Sequence, residues 1–137
     1  MRTDSITLQI PQAKPFHGVA RLVVGGLAAR LALTYEHLED LQLALASVLE
    51  NDGYLASSDV TVRLVVNPDS IGMVIGPLNG EEVRADLEEE TDGAGISLRR
   101  LLSTLVDLVG IEPGDGGEWL RLEKRAPMKH PQPKGTG

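Results

Sequence analysis

The sequence predicts an α+β domain, a two-layer α/β sandwich whose mixed or antiparallel sheet carries helices on one face, in the order β-α-α-β-β-α-β. Three observations predict it. Apolar residues alternate with period two over 5–10 and 60–66, but recur at three- and four-residue intervals over 15–33, 35–51 and 98–109. Turn-forming residues separate these runs at Asn67-Pro68-Asp69-Ser70, at Gly76-Pro77-Leu78-Asn79-Gly80 and across 112–117. The first two helical runs are joined by a very short link, which lays them side by side.

The first strand, Ser5 to Ile10, alternates polar and apolar residues and is stopped by Pro11. Pro15 suits the first turn of a helix whose stripe of Val19, Leu22, Val23, Leu27 and Leu31 runs to Leu33. Gly25-Gly26 inside it costs about 1 kcal/mol per glycine relative to Ala, and marks either close packing against a neighbouring backbone or a bend.

The second helix, Tyr35 to Asn51, organises the chain. Leu38, Leu41, Leu45, Val48 and Leu49 share its core face. Thr34 is its expected N-cap, and Glu36, Glu39 and Asp40 suit the positive end of its dipole. Gly53 is expected to end it in a left-handed conformation. Leu43, Ser47 and Asn51 form a second face at four-residue spacing, able to wall a pocket.

Val60 to Val66 and Ile71 to Ile75 read as an antiparallel hairpin, ended by Gly76 to Gly80. Residues 81–92 hold seven acidic side chains against Arg84 alone, and are expected to be mobile and solvated with at most a short helix. Gly93-Ala94-Gly95 leads into a third helix with Leu98, Leu101, Leu102, Leu105, Val106 and Val109 inside, Arg99, Arg100, Ser103 and Asp107 outside, and Gly110 as cap. After a loop or hairpin turn, Glu118 to Arg125 is the last strand. Residues 1–125 thus read as one domain, and 126–137, with three prolines and no apolar periodicity, as a disordered tail.

Composition excludes several classes. The absence of cysteine removes disulfides, thiolate metal sites and a Cys nucleophile. A formal charge of −7 argues against direct nucleic-acid binding. The most apolar piece, 22–29, is too short to span a membrane, and no signal peptide opens the chain, so a cytoplasmic protein is expected. His17, His37 and His130 lack metal-ligand spacing and are expected to be solvated.

Two stretches, Asp40 to Asn51 and Gly93 to Asp107, together with Gly116 to Leu122, resemble the anti-sigma regulatory factor and serine-protein kinase branch of the GHKL (histidine kinase-like) ATPases. The resemblance covers 6–125 and implies the histidine kinase-like ATPase fold, an ATP and Mg site, and bacterial partner switching with a sigma factor and an anti-anti-sigma antagonist. A homodimer is among the assemblies it leaves open.

The family's helix motif supplies a carboxylate as base and, four residues later, an asparagine for Mg. Asn51 matches the asparagine, whereas Ser47 stands at the carboxylate position. Glu50, about 60° around the helix from Ser47, is a weak substitute. The Asp-x-Gly-x-Gly motif, whose aspartate accepts from the adenine amino group, is here Gly76-Pro77-Leu78-Asn79-Gly80, so only Gly80 of that pattern survives. Gly93 and Gly95 precede a helix whose amides could bind phosphate, or they merely enter the helix. The implied nucleotide-binding set is therefore Asn51, Gly76, Gly80, Gly93 and Gly95, with weak or absent ATP binding expected.

Two functions follow from the resemblance, beside a third reading as a stand-alone scaffold that forms dimers and has no sigma-factor partner. One is an anti-sigma-factor-like regulator with a degenerate ATP site; the other is an active ATP-dependent serine kinase acting on an anti-anti-sigma partner. On the first reading, the acidic segment, at the place of the family's nucleotide lid, meets a basic partner surface; otherwise it is a solvated loop.

Overall fold

The computed structural model describes residues 4–31, 33–88 and 97–125. Strand β1 (Asp4–Pro11) is followed by helices α1 (Lys14–Arg30) and α2 (Tyr35–Leu49), a 3-10 turn (Asp52–Tyr54), and strands β2 (Asp59–Val66) and β3 (Ser70–Leu78). Helices α3 (Gly80–Glu88) and α4 (Leu98–Leu105) and strands β4 (Leu108–Gly114) and β5 (Gly117–Arg125) complete it. All pairs in the sheet are antiparallel, in the order β1-β2-β3-β5-β4.

The expected fold class is the one observed, because strand alternation sorts the residues as read. Ile10, Val60, Val62, Leu64, Ile71, Met73, Ile75, Leu120 and Leu122 are buried beneath the helices. Thr7, Thr61, Arg63, Val74 and Trp119 alternate with them onto the opposite, helix-free face. In α2 the core face is Leu41, Ala44, Leu45, Val48 and Leu49. Each such leucine contributes about 1.5–3 kcal/mol by leaving water. Thr34 caps the helix as expected, its hydroxyl accepting from the His37 amide at 3.1 Å.

Several local expectations are corrected. Helix α2 stops at Leu49 with Glu50 as C-cap, and Gly53 sits in the 3-10 turn without a positive φ. The third helix stops at Leu105, and Val106 turns to extended backbone. Val109 and Ile111 instead lie in β4, opposite Leu122 and Leu120. The spacing of 105, 106 and 109 fits a helix, but Val109 and Ile111 also alternate, and the free edge of β5 decides between the two periods. The Asp115-Gly116 turn joins β4 to β5, with Gly116 at φ 82° as such tight hairpins require.

The acidic segment is corrected too. Its described part is helix α3, docked rather than merely solvated: Val83 and Leu87, one turn apart, are buried. Arg84 pairs with Glu118 of β5 at 2.7 Å, and Arg99 of α4, expected to face outward, donates to the Leu87 carbonyl at 2.9 Å. Residues 89–92 of that segment, Gly93 and Gly95, and the expected tail at 126–137 lie outside the described residues.

At Gly25 an added Cβ would meet the Gln42 amide nitrogen at 3.2 Å, and that nitrogen donates to the Arg21 carbonyl at 3.0 Å. Close packing is therefore the reason for this glycine, against a side chain of α2 rather than a backbone. Lys124 of β5 is buried beneath the helices, donating to the Leu105 carbonyl at 2.8 Å and lying 3.1 Å from Asp40. One cation thus caps α4 and anchors α2 to the sheet. Helix α2 is thereby held rigidly between two flanks, and the positions singled out in the sequence divide between them.

Candidate functional site

Around the end of α2 and the turn that follows it, the polar groups are occupied. The half-buried Ser47 donates its hydroxyl to the Ala44 carbonyl at 2.8 Å, one turn back in its own helix. Asn51 stands beyond the last residue of α2, and its Oδ1 accepts from the Gly53 amide at 3.0 Å. The chain then runs to Tyr54, which is 3% exposed and donates its hydroxyl to Asp86 of α3. Burial pushes the Tyr54 phenol well above the usual tyrosine range; the hydrogen bond and charge of Asp86 add to this, Glu82 adds a little, and the Asn51 side chain works in the opposite sense. Tyr54 is therefore a neutral donor at any physiological pH.

The segment after Asn51 is also stitched to the end of β3. The Asn79 amide donates to the Tyr54 carbonyl at 2.6 Å, the Ala56 amide to the Pro77 carbonyl at 3.4 Å, and Leu55 bridges Leu78. Gly80, the first residue of α3, is close-packed: a Cβ there would lie 2.4 Å from Glu118 Cγ, inside the group that pairs with Arg84.

Gly76 has a different environment. It pairs with Thr61, and a Cβ on it would fall 2.4 Å from the ring of Trp119. Strand alternation sends that position to the helix-free face, away from Asn51. The structure thus brings Asn51 close to the start of α3 and does not bring Gly76 to the same side. Gly76 and Gly114 both lie under Trp119, whose indole nitrogen donates to the Asp115 carbonyl at 3.0 Å.

Glu50 belongs to the other flank. It lines a cleft of about 510 Å³ with Lys14, His17, Gly18 and Arg21 of α1. Its carboxylate is therefore not gathered with Ser47 and Asn51. His17, expected to be solvated, is only 6% exposed, and neither ring nitrogen has a hydrogen-bond partner.

The described residues depart from the implied Mg–nucleotide set at three positions. No carboxylate stands at position 47, Asn51 has turned its oxygen to its own backbone, and a side chain at 76 would face Trp119. Among the described residues, no three His, Asp or Glu side chains converge as a metal site. None of the described helices is long and apolar enough to cross a membrane.

Comparison with known proteins bears on this geometry. No family model matches the chain. Serine-protein kinase RsbW of Halalkalibacterium halodurans is 28% identical over 132 residues, covering 82% of this chain and 78% of the relative. RsbW of Bacillus pumilus is 27% identical over 134 residues, with 82% and 81% covered. RsbW of Listeria monocytogenes is 30% identical over 73 residues, covering 50% of this chain and 46% of the relative. The chain is a homologue of the RsbW serine-protein kinases. The resemblance read from its helix and glycine motifs is borne out at that level.

Three residues that shape the candidate site in this RsbW homologue went unread in the sequence. Asp86 was counted only as one of seven acids, although Val83 and Leu87 at i and i+4 already marked a helix face beside it. Tyr54 follows Asn-Asp-Gly and reads as loop. Trp119 is recognisable as strand, but its stacking over Gly76 depends on the β3–β5 register.

Proposed function

We propose that this RsbW homologue is an anti-sigma-factor-like regulator that acts by binding protein partners, a sigma factor or an anti-anti-sigma antagonist or both, and that its nucleotide site is degenerate. The observation that carries the reading is the environment of Gly76. A phosphotransfer site of this family needs an adenine acceptor there, and the position holds no side chain and points into Trp119. Ser47 adds support, since its hydroxyl is committed to Ala44 and no base accompanies it. Protein binding is supported by the apolar residues left in water on the helix layer: Phe16, Val19 and Leu22 at three-residue steps along α1, and Leu43 on α2.

The test is a calorimetric titration with ATP and Mg. Losing one charge-assisted hydrogen bond costs about 1.5–3 kcal/mol, roughly ten- to over a hundredfold in affinity. The expected result is weak or undetectable binding, and no transfer from labelled ATP to an antagonist protein. A dissociation constant in the low micromolar range overturns the degenerate site. Transfer abolished by Glu50→Ala would instead favour the kinase reading, with Glu50 as its base.

A further inference from the structure

We propose that the cleft between α1 and the C-terminal end of α2 is a binding site for a small oxyanion that carries one acidic hydroxyl, hydrogen phosphate being the type ligand. Of the residues weighed for the nucleotide site, only Glu50 takes part in it.

Lys14, His17, Gly18 and Arg21 stand at i, i+3, i+4 and i+7 of α1, so they form a single stripe along the helix. On an ordinary amphipathic helix that stripe is apolar. Here it holds two full cations flanking an imidazole, and Glu50 closes the far side. None of the hydrogen bonds and ion pairs among the described residues joins the side chains of Lys14, Arg21 and Glu50.

His17 turns this charge pattern into a site. An imidazole always carries at least one N–H, and an N–H shut away from water needs an acceptor. His17 is buried to 94% of its surface, lines the cleft, and has no partner for either ring nitrogen. Glu50, the carboxylate lining the cleft, makes no bond to it. An anion oxygen in the cleft supplies the missing acceptor. Lys14 and Arg21 supply the charge, Arg21 with a planar fork suited to two oxygens at once. Gly18 leaves the floor open, since an added Cβ would meet nothing within 4 Å.

Glu50 sets the selectivity. The formal charges of Lys14, Arg21 and Glu50 leave the cleft with one net positive charge, and a carboxylate facing an anion repels it unless a proton lies between them. Hydrogen phosphate keeps a P–OH near neutral pH and can donate it to Glu50. Sulfate has no such proton, and its oxygens would meet the carboxylate acceptor to acceptor. The cleft should therefore prefer phosphate to sulfate, with Glu50 as the discriminating residue.

The full chain is titrated with sodium phosphate and, separately, sodium sulfate at matched ionic strength, without nucleotide. The readouts are calorimetry and the ring nitrogen resonances of His17. Saturable phosphate binding that moves His17, weakened at least tenfold in Lys14→Gln and in Arg21→Gln, is the expected result. Both substitutions are at exposed positions, and an unchanged circular dichroism spectrum establishes that the variants fold. Glu50→Gln should abolish the preference for phosphate over sulfate. Unmoved His17 resonances up to saturating phosphate elsewhere, or binding indifferent to Lys14→Gln and Arg21→Gln, would overturn the site; an unchanged preference in Glu50→Gln would overturn the role given to that carboxylate.

Discussion

Around the turn that follows α2, Asn51, Tyr54 and Asp86 direct their polar groups at one another or at nearby backbone. On the α1 side, Lys14, His17, Arg21 and Glu50 approach across a cleft with no bond between their side chains. The side with the recognisable motif has the polar groups around Asn51 met, and the side without a motif holds an imidazole, His17, with neither nitrogen met. The comparison separates two things that a motif conflates, residue identity and residue availability. Asn51 is the residue the family resemblance assigns to Mg, and one acceptor site of its Oδ1 is already taken by the Gly53 amide. His17 belongs to no motif, yet a buried imidazole without a partner is a standing cost that a ligand can remove.

The largest effect should come from restoring the family's aspartate, Gly76→Asp. Its Cβ would enter the Trp119 ring and its charge would be set against an apolar surface, so several kcal/mol of stability should be lost and no ATP affinity gained. Gly76→Ala isolates the steric part, about 1–3 kcal/mol by urea denaturation. A neutral Gly76→Ala would mean that Trp119 yields freely, and the blocked acceptor position would no longer support the degenerate site.

Next in size is Tyr54→Phe, which leaves Asp86 without its donor at an expected cost of about 1–3 kcal/mol. Hydrogen exchange should show faster exchange of the α3 amides than of those in α2. The pH dependence follows from the sign of the shift. Folding raises the Tyr54 pKa above its ordinary value of 10.0, so its contribution is complete below that pH and is lost as pH rises through the folded value. The parent chain should weaken above about pH 10, and Tyr54→Phe should flatten most of that loss. Identical alkaline profiles would show that Tyr54 does not hold α3.

The smallest effect concerns the outer surface of α3, where Glu81, Glu82 and Glu88 are exposed. If α3 meets a basic partner, raising salt should slow association, and the triple Gln variant should slow it several-fold at low salt while changing dissociation little. Extending the change to Glu89 and Glu90 should slow it further. An on-rate unchanged by both variants reduces the acids to a solubilising surface and removes charge steering from the regulatory reading.

What the sequence determined by itself is what neighbours along the chain decide. Thr34 caps α2 because its hydroxyl reaches an amide three residues on, the leucines of α2 share a face because of the helix pitch, and Asp115-Gly116 turns because glycine tolerates a positive φ. The similarity to the RsbW proteins was also legible, since short stretches of local sequence carry the resemblance. Only the tertiary structure decided which period the residues after Leu105 follow, because both periods fit and the edge of β5 selects one. It alone placed Gly76 under Trp119, a contact between strands 43 residues apart in the chain that depends on register. It also assigned Asp40 to a buried lysine on β5, and His17 to a cleft where its ring is shut from water with nothing to bond. Propensity and periodicity describe what one segment wants; whether a polar side chain finds a partner depends on every element that packs around it.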